Sequence, residues 1–346
     1  MLYYSGLEEI IFNKHEFIEE PDELIIISGY IGPSPLKRLE ELPVSMKITV
    51  IGGMYTNGID KRLYSSIEKI KEDNPRLTVK FSTQEIHSKI YIWKKKGKTL
   101  SALIGSANFS SNGLRTKFRE SLADATRDTF IPLDDYLKFI VDNSIETPII
   151  SSKQVDLKLI TTTKTKSIEE DMLKLTIEIP LYKIKNEKPV VMPKSGLNWG
   201  LARFGGSHVA EGDGYIGIPK FVFKKCPGLI NPYDSNYINS NSKKKRNSDP
   251  IELIWDDGTT MPASFEGTQT VGDILYPKQL TSYSSQQIQF EGKRISKKSI
   301  LGRYMRNRLN VSIDELITYE TLEKYGRTTI SLSLIEEGVY YADFSV

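Results

Sequence analysis

In the first half of the chain, short unbroken apolar runs alternate with segments whose apolar residues recur every three or four positions. Leu24–Ser28 and Lys47–Ile51 are runs of the first kind, closed by Gly29 and Gly32 and by Gly52 and Gly53, and Leu77–Phe81 is a third. Such runs predict strands covered on both faces. Helical spacing appears over Glu8–Ile18, with Ile10, Ile11, Phe12, Phe17 and Ile18 among charges before Pro21 and Asp22. It returns over Lys61–Lys71, with Leu63, Ile67 and Ile70 on one face, and over Phe130–Ile140, with Leu133, Tyr136, Leu137 and Ile140. Strand alternating with helix predicts an α/β domain, a mixed or parallel sheet flanked by helices, with its functional groups at strand ends.

From Thr147 the pattern changes. Polar stretches at Ser151–Lys153 and Thr161–Lys166 flank Val155, Leu157, Leu159 and Ile160, so a first domain is expected over 1–150, a linker over 151–170 and a second domain over 171–346. Asp156-Leu-Lys158 in that linker has the Asp-x-Lys form of a metal nuclease but no glutamate partner, and is set aside. The second domain reads as mainly β. Strands are expected at Leu173–Ile179, Tyr215–Ile218, Ile251–Trp255, Ile288–Phe290, Thr328–Leu334 and Val339–Phe344, with a hairpin turn at Asp256-Asp257-Gly258-Thr259. One strong helix, Ser299–Leu309, interrupts them, and the set predicts a closed or half-closed barrel.

A chain of 346 residues is long enough for two cores. Its net charge of +3, from 47 Lys and Arg against 44 Asp and Glu, is too small to identify a polyanion partner, so charge placement must carry that argument. With one cysteine, Cys226, no internal disulfide can form; a reducing, cytoplasmic setting and a buried structural thiol are expected. No basic-then-apolar leader and no membrane-length apolar run is seen, so no membrane partner is expected.

The chemistry concentrates in Ile86–Asn108. If Ile86–Trp93 is a strand, side-chain alternation puts His87 and Lys89 on one face while Ile86, Ile90 and Ile92 meet the core. After a basic turn through Lys94–Lys98, Leu100–Ile104 reads as a second, largely buried strand, and Gly105 starts a bend that sets Ser106 and Asn108 on a common side. A neutral imidazole can attack phosphorus while an ammonium, an amide and a hydroxyl hold its non-bridging oxygens, without a metal or another cofactor.

His-x-Lys followed by Gly-Ser-x-Asn resembles the phospholipase D superfamily, except that the aspartate usual after the lysine is replaced here by Ile, Tyr, Ile, Trp and lysines. That departure resembles the metal-independent restriction endonucleases of the NgoFVII and BfiI type, in which Glu120 of Arg-Glu-Ser-Leu-Ala would be the matching glutamate. The resemblance implies a catalytic set of His87, Lys89, Ser106, Asn108 and Glu120, and no metal ligands.

Two stretches of the second half have the composition of nucleic-acid contacts. Ser195–His208 is glycine-rich and carries Asn198, Trp199, Arg203 and His208; Pro277–Gln287 gathers hydroxyls and amides, among them Ser282 and Gln286, beside Lys278. Arg reads guanine, Asn and Gln read adenine, and lysines and hydroxyls grip phosphate. Composition alone is as consistent with two solvated loops, and Lys243–Arg246 reads better as a solvated loop than as a phosphate contact. Ser195-Gly-Leu-Asn-Trp-Gly, Tyr215-Ile-Gly-Ile-Pro, Pro277-Lys-Gln-Leu-Thr-Ser-Tyr and Ser299–Leu309 look like the carboxy-terminal domain of the same enzymes. That domain is a pseudobarrel similar to the plant B-three DNA-binding domain, and the resemblance implies two arms on double-stranded DNA.

The expected function is therefore a type II-like restriction endonuclease working through a phosphohistidine. Of the three histidines, His15 and His208 lie outside any second copy of the motif, so the acid for the leaving oxygen must come from a second chain, and a homodimer follows. The resemblance further implies a cognate DNA methyltransferase, and leaves room for a helicase-like ATPase subunit. Two other classes fit parts of the pattern: a DNA-binding regulator without catalysis, and a phospholipase D-like phosphodiesterase, for which no basic amphipathic helix is seen.

Overall fold

The computed structural model describes residues 1–116, 118–151, 176–205, 209–234, 249–283, 287–290, 293–296 and 299–346, and the chain divides into two compact units, Met1–Lys153 and Gln154–Val346. Most of the expected linker, Asp156–Lys158, His208, Lys243–Arg246 and Gln286 lie outside the described residues.

The first unit is built on an eight-stranded mixed sheet, in the order Leu2–Tyr3, Leu122–Asp124, Lys98–Gly105, Lys89–Lys95, Glu23–Ser28, Lys47–Gly52, Leu77–Ser82, Ser144–Ile145. The three apolar runs of the sequence are its parallel centre: Glu23–Ser28 pairs with Lys47–Gly52 and that strand with Leu77–Ser82. Lys89–Lys95 runs antiparallel beside Glu23–Ser28, and Lys98–Gly105 returns beside it.

Alternation in Lys89–Lys95 divides the two faces. Ile90 and Ile92 pack with Ile25, Ile27 and Ala102 under Leu133, Leu137 and Ile140 of the helix Phe130–Asp142. Tyr91 points the other way to Phe109, which in turn stacks on Phe12 of the helix Leu7–Asn13. Helices therefore cover both faces, as the α/β pattern requires. The helical spacing at Lys61–Lys71 is realised as Lys61–Asp73, with Asp60 accepting a hydrogen bond from Arg62 N–H as its cap.

Lys98–Gly105 departs from the expected buried strand. Only Ala102 and Leu103 are buried, and Ile104 is 39% exposed. It lies toward the sheet edge, paired across to the three-residue Leu122–Asp124.

In the second unit a curled seven-stranded sheet forms a half-barrel, in the order Thr176–Pro180, Thr329–Glu336, Val339–Asp343, Pro250–Trp255, Thr260–Glu266, Gln279–Ser282, Ile216–Gly217. The turn at residues 256–259 joins Pro250–Trp255 to Thr260–Glu266 as expected. Leu301, Met305 and Leu309 of the helix Ser299–Leu309 are buried in one core with Leu253, Trp255, Leu280, Ile330 and Leu332. Among its described residues the unit holds two shorter helices as well, Lys220–Lys225 and Tyr319–Tyr325, and a 3-10 segment at Gly196–Gly205 where a loop was the expectation. No helix among the described residues is long and apolar enough to cross a membrane.

Candidate active site

The site lies where the carboxy-terminal ends of Glu23–Ser28 and Lys47–Gly52 meet the start of Lys89–Lys95 and the end of Lys98–Gly105; Lys89 is in register with Gly105. Lys89 is only 4% exposed. Its Nζ donates to His87 Nδ1 at 3.0 Å and to the His87 backbone oxygen. An ammonium has donors only, so Nδ1 is the acceptor and the neutral ring carries its proton on Nε2. His87 is exposed and precedes the strand, which begins at Lys89. Strand alternation therefore does not unite the pair; the lysine side chain folds back to the residue two before it.

Burial pulls the Lys89 pKa below the ordinary lysine value, and the Glu120 carboxylate opposes that shift. The same carboxylate adds to the burial that drives the Tyr91 hydroxyl well above a normal phenol, so Glu120 acts electrostatically on both. Tyr91 donates to Ala107 O at 2.8 Å, which holds the turn that carries Asn108.

Asn108 Oδ1 accepts from Tyr30 N–H at 3.2 Å and lies 3.4 Å from Ser28 Oγ. Its oxygen is thus occupied on the protein side, and the Nδ2 amino group is the half left to meet a substrate oxygen. Gly29 joins the two donors. A Cβ added there would stand 3.1 Å from Asn108 Oδ1 and 3.3 Å from Lys89 Nζ. In the sequence Gly29 only closes the first apolar run; the structure makes it the floor between Lys89 and Asn108. The signal available was its place directly after the first apolar run.

Ser106 is tied to the Glu120 segment. Its N–H donates to Ser121 O at 3.0 Å and its Oγ accepts from Ser121 N–H at 3.1 Å. Gly105 permits this approach, since a Cβ there would meet Ser121 O at 2.0 Å. The structure thus gathers His87, Lys89 and Asn108 directly, with Glu120 in electrostatic reach, and engages Ser106 with Ser121, the residue after Glu120. Among the described residues no group of three or more His, Cys, Asp or Glu could hold a metal ion.

In the second unit the expected contact residues separate. Asn198 is fully buried: its Nδ2 donates to Met192 O and Ile317 O, and its Oδ1 accepts from Ile317 N–H and Arg306 Nη2. Ser282 is also fully buried at the end of Gln279–Ser282 and accepts from Leu301 N–H. Neither is on the surface of this unit; both are polar residues spent on internal bonds, which is at odds with the DNA contacts expected of them. Asn198→Ala should therefore destabilise this unit by about 2–4 kcal/mol by orphaning its buried partners, a loss read by denaturant unfolding.

Trp199 is half-buried, edge-on to Tyr215 at 5.5 Å, and Arg203 falls within Gly196–Gly205. Lys278 is exposed. A cavity of about 650 Å³ is lined by Ser195, Tyr215, Lys183, Lys220, Gln269 and Lys278, among others, so the starts of both expected arms reach one concavity with lysines in its lining. Lys183 and Lys220 lie outside both stretches singled out from the sequence; their signal was basic residues in the short flanking elements. The single cysteine, Cys226, is buried, and burial raises its pKa.

Comparison with known proteins agrees with this division. Residues 5–157 match the family described as the NgoFVII restriction endonuclease N-terminal PLD domain, and residues 167–336 match the NgoFVII C-terminal B3-like DNA-binding domain. No curated protein matches the chain. Among solved structures, NucT from Helicobacter pylori aligns over 42% of this chain and 98% of its own, at 15% identity and a TM-score of 0.32. A polyphosphate kinase from Porphyromonas gingivalis aligns over 42% of this chain and 23% of its own, at 14% identity and a TM-score of 0.25. Structural likenesses this weak carry no argument. The two family matches, in order and over most of the chain, do: this protein belongs to the NgoFVII restriction endonuclease family, with a phospholipase D-like nuclease domain followed by a B3-like DNA-binding domain.

Proposed function

We propose that this protein hydrolyses DNA phosphodiesters site-specifically and without a metal, through a phosphohistidine at His87. The observation that carries the reading is the placement of two donors, Lys89 Nζ and Asn108 Nδ2, around Gly29 with the His87 ring against the lysine. A phosphate entering there competes for Lys89. As the ammonium turns to a non-bridging oxygen, His87 Nδ1 is released, the ring proton can pass to that nitrogen with Glu120 in the role of holding it, and Nε2 gains the lone pair for attack. The N–P bond forms as the ester P–O bond breaks. Lys89 and Asn108 hold the oxygens on which charge collects, and Ser106 supports the Glu120 segment.

The leaving oxygen needs a proton, and the motif occurs once. We assign that acid to the partner subunit's His87 in a homodimer, which then takes a proton from the water that hydrolyses the phosphohistidine. Exposed Leu2, Tyr4, Ile104 and Phe118, neighbours of the site in strand or sequence, support such a contact. The division of labour follows the two units: residues 1–150 cut and dimerise, and residues 171–346 recognise double-stranded DNA, with Trp199, Arg203, Lys278 and Gln286 as candidate contacts. A cognate methyltransferase would protect host DNA, and a helicase-like ATPase subunit is the other partner this reading admits.

The test is cleavage of unmethylated DNA in EDTA, with the ends mapped. Discrete fragments are expected. Retained specific binding with no cleavage would instead make the chain a regulator or a subunit awaiting its partner.

Glu120→Gln carries a pH signature. The carboxylate raises the Lys89 pKa against burial, so removing its charge lets that pKa fall further. The alkaline limb of the single-turnover rate, where Lys89 loses its proton, should move to lower pH than in the unaltered protein.

A further inference from the structure

We infer that Ser28 is a positioning residue that fixes which half of the Asn108 amide faces the scissile phosphate; this rests on the site proposed above. Ser28 ends the strand Glu23–Ser28 and is fully buried. Its hydroxyl donates to Tyr30 O at 2.6 Å and accepts from Phe109 N–H at 2.8 Å. One side chain thus cross-links the two segments that bracket Asn108: Tyr30, whose N–H holds Asn108 Oδ1, and Phe109, the residue after Asn108. A parallel bridge between Ile31 and Phe109 and a bond from Gly32 N–H to Phe109 O at 2.8 Å extend the clamp by one residue.

The chemistry makes the clamp matter. The two ends of a carboxamide are nearly equal in size but opposite in hydrogen-bonding role. With Oδ1 bound to Tyr30 N–H, Nδ2 donates to a phosphoryl oxygen; with the amide turned over, Oδ1 would face an anion and repel it. Tyr30 N–H selects the first orientation only while residues 30 and 109 keep their spacing, and the Ser28 hydroxyl sets that spacing. A fourth isoleucine at the buried position 28 would remove the bonds that the Ser28 hydroxyl makes to Tyr30 O and from Phe109 N–H.

The measurement is a double-mutant cycle on single-turnover cleavage by the full-length protein, with Ser28→Ala, Asn108→Ala and both together, and with DNA affinity and Tm recorded for each. Ser28→Ala should slow the chemical step about tenfold, the worth of one misdirected hydrogen bond, with DNA affinity unchanged. In the Asn108→Ala background the same change should cost less than about twofold, because its effect runs through the amide. A purely structural serine would slow both backgrounds equally, and that result, or a Ser28→Ala protein as fast as wild type, overturns the positioning role while leaving the site intact. If Asn108→Ala itself cuts at the wild-type rate, the site assignment fails and the inference goes with it.

Discussion

His87→Ala should leave DNA bound and uncut. Single-turnover cleavage is expected to fall by at least about 10⁴-fold, because removing the nucleophile removes the covalent route itself and not one supporting contact. His87 is exposed and precedes the strand, and it accepts hydrogen bonds from Lys89 at Nδ1 and at its backbone oxygen. The change should therefore leave Tm and the affinity for the recognition site close to wild type. Parallel loss of folding, binding and cutting would show a structural role for this residue.

Lys89→Met should separate activity from stability. Lys89 is 4% exposed, and burial pulls its pKa below the ordinary lysine value, so the folded state bears a cost for keeping it charged. Below the folded pKa both folded and unfolded chains hold the proton and that cost is present in full. As pH rises through the folded pKa toward the unfolded one the lysine can discharge, and the cost is relieved. An apolar side chain of similar length avoids it, so Lys89→Met should raise Tm near neutral pH, with a gain that shrinks at alkaline pH. Cleavage should fall by about 10²–10³-fold, the usual loss when one donor to a charged transition state is removed. A fall in Tm together with activity would mean that the lysine mainly supports the fold.

What could be read from the sequence followed the strength of local pattern. The sheet centre was legible because Leu24–Ser28, Lys47–Ile51 and Leu77–Phe81 are apolar on both faces, which a strand between two helical layers requires. The helix Ser299–Leu309 was legible from its spacing alone. The pairing of His87 with Lys89 followed from their separation by one residue, although the structural cause is a lysine folding back and not a shared strand face. Gly29, Ser28 and Tyr30 were illegible as parts of the site because they meet Asn108 across about eighty residues, largely through backbone groups that carry no side-chain signature. Asn198 and Ser282 show the opposite failure. Polar side chains in glycine- and serine-rich stretches look solvated, yet both turn inward to satisfy buried groups: Asn198 bonds Met192, Ile317 and Arg306, and Ser282 bonds Leu301. Short strands such as Lys183–Lys185 and Gln269–Val271 carry too few residues for alternation to register.

The central claim, two displacements at phosphorus through His87, is tested most directly by stereochemistry. A DNA duplex carrying one phosphorothioate of known configuration at the cut position would be cleaved in EDTA in ¹⁸O-labelled water, and the configuration of the product determined. Two successive inversions, one by His87 and one by water, predict overall retention. Overall inversion would mean that water attacks phosphorus directly, and would contradict the phosphohistidine route.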